Sequence, residues 1–187
     1  MLALMLAILP QAAMADEAWL IRVFLDNGVN EDIAPSFGDF TVFGGLYRNV
    51  DLLICEESHF DRCYYGTDGL IVKTDVDEKK RGVLSAEPHT VCADENAKIV
   101  YRLLDESGIP VQTAEGPVNQ PLTLTVADPL LWDGPGRAHF YTLTAALYLN
   151  RRTADEVSVR TGFRRLALDP DKGLFLNGKQ VKLHGAA

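Results

Sequence analysis

The apolar positions of this chain fall in short runs, several of them alternating with polar residues, and no stretch carries a helical period of useful length. Residues 19–25 (Trp-Leu-Ile-Arg-Val-Phe-Leu) are rich in strand formers and stop at Asp26-Asn27-Gly28, a strong turn signal. Residues 29–45 have no clean period and are interrupted by Pro35, Gly38, Gly44 and Gly45, so they read as a long irregular loop, a feature that is often functional. Residues 46–54 read as another strand. From 69 to 168 the rhythm is that of an all-β sandwich, with strands expected at Leu70–Val76, 83–92 (Pro88 marking an edge or bulge), Lys98–Leu104 and 109–113. They continue at Leu122–Val126, 139–149, and 156–160 running on towards Leu168, with residues 150–154 as a turn. In the longest of these, Tyr141, Leu143, Ala145, Leu147 and Leu149 share one face. About seven strands with a turn signal every ten or so residues predict an antiparallel β-sandwich of immunoglobulin-like form. Residues 174–183 form a hairpin about Asn177-Gly178, the two-residue turn that fits strand twist. A lone hairpin is marginal, so it must pack on something.

Composition narrows the function classes. The 187 residues are 47% hydrophobic and 24% charged, ordinary for a folded domain, and enough for one core with incomplete flanks. A formal net charge of −8 argues against a nucleic-acid partner, which needs clustered Lys and Arg. The basic runs, Lys79-Lys80-Arg81 and Arg151-Arg152, sit beside turn residues and read as solvated loop tips. Residues 1–10 are an apolar run, and Ala13-Met14-Ala15 is a small-x-small site, so residues 1–15 resemble a secretory signal peptide, but without a positive n-region. The alternative is a mis-assigned start or a truncated upstream segment. The stretch is too short to span a bilayer, which takes ~20 apolar residues. If the leader is genuine the protein is periplasmic or secreted; otherwise it is cytoplasmic.

Candidate chemistry is sparse. Cys55, Cys63 and Cys92 have no metal-ligand spacing, and a Cys55–Cys63 disulfide has nothing to support it. His59, His89 and His139 are isolated. The acidic pairs Glu31-Asp32, Glu56-Glu57, Asp94-Glu95, Asp105-Glu106 and Asp155-Glu156 are adjacent in sequence, so on a strand their members point to opposite faces. They read as solvated turns or strand ends rather than catalytic dyads. Trp132, beside Pro129, reads as a plug between sheets or domains rather than a sugar platform, and Arg164 either pairs with a carboxylate at a domain interface or is solvated.

Three motifs carry a family resemblance. Gly38-Asp39-Phe40-Thr41-Val42-Phe43-Gly44-Gly45-Leu46-Tyr47-Arg48-Asn49-Val50 resembles the segment joining the first two domains of glycoside hydrolase family two β-galactosidases. Pro129-Leu130-Leu131-Trp132-Asp133-Gly134, then Phe140-Tyr141-Thr142-Leu143, is similar to that family's loop before the penultimate sandwich strand. The segment from Asp155 to Arg164, then Phe175-Leu176-Asn177-Gly178-Lys179 and Leu183-His184-Gly185, resembles its last strand and barrel entry. The resemblance implies a layout. Residues 16–47 end an N-terminal jelly-roll domain, 48–168 form the sandwich, and 169–187 lead into a (β/α)₈ barrel that would carry both catalytic glutamates. The chain is then expected to be a non-catalytic fragment, with the neighbouring domains and a β-galactoside as partners of the whole enzyme. His184 would sit where the barrel begins. Asp39 matches the family aspartate that reaches a sugar hydroxyl and a sodium ion, tasks that suit a hard carboxylate oxygen; sodium, with magnesium as a second candidate, is the implied cofactor of the parent enzyme. The rival expectation is a secreted, stand-alone immunoglobulin-like module binding carbohydrate or protein.

Overall fold

The computed structural model describes residues 5–9, 20–24, 45–46, 53–91, 96–183 and 185. It divides into two compact units, Met1–Leu53 and Ile54–Ala187. In the first, β1 (Met5–Leu9) pairs antiparallel with β2 (Leu20–Phe24). The expected loop at 29–45 lies, but for Gly45, outside the described residues. So does most of the strand expected at 46–54, whose described members Leu46, Leu53 and Ile54 are irregular.

The second unit is the expected sandwich. Its smaller sheet is β4 (Leu70–Val76), β5 (Gly82–Pro88) and β9 (Leu122–Val126), with β5 central. The larger has the order β11 (Arg152–Thr161), β10 (Tyr141–Leu149), β7 (Lys98–Leu104), β8 (Pro110–Pro117). All pairings within these sheets are antiparallel. Period-two patterning decides what is inside: Leu84, Ile99, Tyr101, Leu103, Leu143, Ala145 and Leu147 are fully buried between the sheets. The face read from sequence on β10 is inward, although Leu149 at its end is half-buried.

Four expectations about element bounds are corrected. The strand expected at 83–92 breaks at His89. Its first part stays in the small sheet, while β6 (Thr90–Val91) pairs with β3 (His59–Phe60), so Pro88 is a point of sheet exchange. The strand expected at 109–113 runs on to Pro117, as a polar edge that needs no apolar alternation. The turn expected at 150–154 is only Asn150-Arg151, both at positive φ (51° and 66°), which is the mirror-image geometry a two-residue hairpin requires. Finally, β12 (Leu166–Asp169) leaves the sandwich. It pairs with β13 (Gly173–Leu176), which pairs with β14 (Lys179–Val181) about the predicted Asn177-Gly178 turn. The hairpin thus gains a third strand.

Two aromatic devices close the sandwich. The Tyr141 hydroxyl, at the start of β10, accepts the Leu130 amide at 2.9 Å and fastens the preceding loop. Phe163, 0% exposed, packs edge-on against Tyr141 with ring centroids 5.0 Å apart. A Cβ on Gly82 would lie 2.7 Å from the Phe163 ring, so glycine there makes room for it.

Candidate functional site

The residue that the sequence put forward for substrate and sodium, Asp39, lies outside the described residues, as do His184, Cys92 and the pairs Glu31-Asp32 and Asp94-Glu95. Among the described residues no group of three or more His, Cys, Asp or Glu could hold a metal ion. Cys55 and Cys63 are free thiols.

In the remaining acidic pairs, four of the six side chains have a partner. Asp105 caps a tight turn, accepting the amides of Ser107 and Ile109 at 2.9 Å, and Glu106 accepts the Phe140 amide at 3.0 Å. Glu56 lies 3.8 Å from Arg152 at the surface. Asp155 corrects the sequence reading, for it is not a solvated strand end. A register shift between Leu147 and Tyr148 leaves Ala154 as the extra residue of a bulge, and Asp155 lies on the side of β11 that also carries buried Val157. There it takes both guanidinium nitrogens of Arg62, at 2.6 and 3.0 Å, and the Phe60 amide at 2.9 Å. Only 21% of the Arg62 side chain and 15% of that of Asp155 is exposed. Burial works to raise the Asp155 pKa, but the hydrogen bonds from Arg62 and Phe60 outweigh it and hold the carboxyl below its ordinary value. The clasp fixes residues 60–62 to β11. Adjacency in sequence had no way to signal it, because its partner is 93 residues away.

Trp132 and Asp133 hold the C-terminal hairpin. The Asn177 side chain donates to the Trp132 carbonyl at 3.0 Å and to Asp133 at 3.2 Å, while its oxygen accepts the Arg165 amide at 2.9 Å. Lys179 reaches Asp133 at 2.9 Å. Hydrogen bonds from Lys179 and Asn177 lower the Asp133 pKa. Trp132 also donates its amide to the Phe163 carbonyl at 2.9 Å, and its Cβ would lie 3.0 Å from a Cβ on Gly162. The residue is half-buried, and Arg164 lies over its ring at 4.9 Å.

One open cleft collects charge. Of about 570 Å³, it runs along the seam where β4 and β11, edge strands of the two sheets, lie on the same side of the sandwich. Thr74 Oγ1 bridges the seam by donating to the Gly162 carbonyl at 2.8 Å. Lys73, Arg160 and Arg164 line it together with Asp75 and the rings of Trp132 and Phe140. Arg160 stacks on Phe140 with its central carbon 3.7 Å from the ring centroid.

A two-sheet sandwich with a tyrosine fastening its loop, followed by a tethered hairpin sheet, is an all-β domain of immunoglobulin-like form. The family model described as "Glycosyl hydrolases family 2" matches residues 68–164. The chain belongs to that family. A β-glucuronidase of Bacteroides fragilis is 30% identical over 88% of this chain and 25% of its own length. A β-galactosidase of Thermoanaerobacter pseudethanolicus is 25% identical over 89% of this chain and 22% of its own. The solved structure of an FMN-binding β-glucuronidase from Facaelibacterium prausnitzii L2-6 superposes with a TM-score of 0.77 at 29% identity, covering 83% of this chain and 24% of that one. The chain therefore spans about a quarter of the length of these relatives.

Proposed function

We propose that this chain is a non-catalytic positioning module of a retaining β-glycosidase that removes terminal β-D-galactosides. Such an enzyme needs two carboxylates about 5 Å apart, one as acid/base and one as nucleophile. The observation that carries the reading is that Asp105 and Glu106 accept backbone amides and Asp155 is closed by Arg62. The sandwich then orients other parts of the enzyme, and the loop at 29–45 brings Asp39 to a sugar hydroxyl and a sodium ion. A second reading, terminal β-D-glucuronides, is favoured by the higher identity of the Bacteroides fragilis relative, 30% against 25%. Nitrophenyl β-galactoside and β-glucuronide, assayed with the complete enzyme, decide between the two by which is turned over. Asp39→Ala in that enzyme is expected to lower turnover at least 100-fold, and wild-type rates would remove Asp39 from the site. Hydrolysis by the 187-residue chain alone would overturn the non-catalytic role.

A further inference from the structure

The cationic seam between β4 and β11 has no use in the scheme above. Charged side chains on edge strands commonly serve only to repel other strands, and a splayed, solvated Lys or Arg would need no further account. These side chains are differently arranged. Arg160 and Arg164 each lie over an aromatic ring, 3.7 Å from the Phe140 centroid and 4.9 Å from that of Trp132. Stacking restrains a guanidinium plane while leaving its N–H edge free, which suits bidentate capture of a carboxylate or sulfate. Among the described residues neither arginine, nor Lys73, has an ion-pair partner within 4.0 Å, although the chain carries a net charge of −8. Asp75 offsets one of the three charges, and its carboxylate is already bonded to the Val76 amide at 2.7 Å. Asp105 and Glu106 lie beyond Phe140 in an adjoining hollow that shares Arg160, so Arg164 and Lys73 are the less compensated pair. The volume, about 570 Å³, falls within the range of roughly 300–1,000 Å³ typical of small-ligand sites.

We infer that this seam is a binding cleft for an acidic saccharide. Arg164 and Arg160 take the acid group in their N–H edges, Lys73 adds a movable charge, and the Trp132 and Phe140 rings line the apolar side. The choice of a saccharide as bearer of the acid rests on the glycosidase reading above; the anion-binding chemistry does not.

The test is a titration of the 187-residue chain, followed by proton–nitrogen NMR, with a uronic-acid tetrasaccharide, its methyl ester and a Glu-rich tetrapeptide. The uronate is expected to shift the Trp132 indole and Arg164 Nε–H signals saturably. It should bind at least 10-fold tighter than the uncharged ester, and more weakly as salt is raised. Arg164→Gln should weaken binding at least 10-fold with an unchanged thermal midpoint, and Arg164→Lys should not restore it, since an ammonium lacks the planar fork. Should Arg164→Gln unfold the chain, Lys73→Gln provides the same reading from a fully separate strand, with a several-fold loss expected. Equal binding of acid and ester, an absence of shifts, or a preference for the peptide would overturn the inference. Any of these would leave the non-catalytic role untouched, since that role is judged by turnover.

Discussion

The sandwich and the three-stranded sheet that follows it are built from the same kind of short apolar strand, yet they satisfy those strands in opposite ways. In the sandwich, alternation on two facing sheets encloses a core in which Ile99, Leu103, Leu143 and Phe163 are fully buried. In β12–β14 the register puts Leu166, Leu176 and Lys179 on one face, with Leu168, Leu174 and Val181 next to them. Only Leu176 is buried there; Leu166 is 55% and Leu168 80% exposed. What fastens this sheet is polar: the Asn177 and Lys179 bonds to the Trp132–Asp133 corner. Burial of apolar area makes a structure cooperative, whereas a few hydrogen bonds, each worth about 1 kcal/mol net, tether one locally. The small sheet should therefore open without the sandwich.

The strongest way to break the sandwich is Phe163→Ala. Removing a fully buried ring beside Gly82 and Tyr141 should cost about 4 kcal/mol in urea unfolding and melt both regions together. Next comes the clasp. Asp155→Ala leaves Arg62 and the Phe60 amide half-buried without their acceptor, a loss of about 3 kcal/mol. The clasp also predicts a pH dependence. Because the folded-state pKa of Asp155 is depressed, its stabilisation is complete above the unfolded value of about 3.9 and is lost as pH falls through the folded one. Acid titration of unfolding stability should be shallower below pH 4 in Asp155→Asn than in the wild type. An identical slope would mean that the ion pair contributes nothing to acid stability.

Asn177→Ala separates the two regions most cleanly. It removes hydrogen bonds at the hairpin tip, costs about 1–2 kcal/mol locally, and should speed amide exchange in β12–β14 roughly 10-fold while exchange in β7 and β10 stays as it was. Uniform acceleration in both regions would refute separate opening. The smallest effect is expected at Tyr101, whose fully buried hydroxyl has no hydrogen-bond partner among the described residues and whose pKa is pushed up by burial. Tyr101→Phe should raise stability by up to about 1 kcal/mol. A loss in that variant would show that the hydroxyl is satisfied in solution.

The sequence by itself determined the strands, because period-two alternation and turn chemistry are local. Leu70–Val76, Lys98–Leu104 and Leu122–Val126 have the bounds read from it, and Asn177-Gly178 makes the turn its two residues demand. The sandwich class followed from the order of those local signals, and the family from the resemblance carried by three motifs. Tertiary structure decided what depends on partners distant in the chain. It moved Leu166–Asp169 out of the sandwich, since an apolar strand does not state which sheet will pair with it. It turned Asp155 from an apparent surface acid into half of a clasp with Arg62, and it brought Lys73 and Arg160 from two different sheets, and Arg164 from the link after β11, to one seam. None of these carries a local pattern. Hydrogen bonds and ion pairs act between neighbours in space, and only the packing of the two sheets makes those residues neighbours.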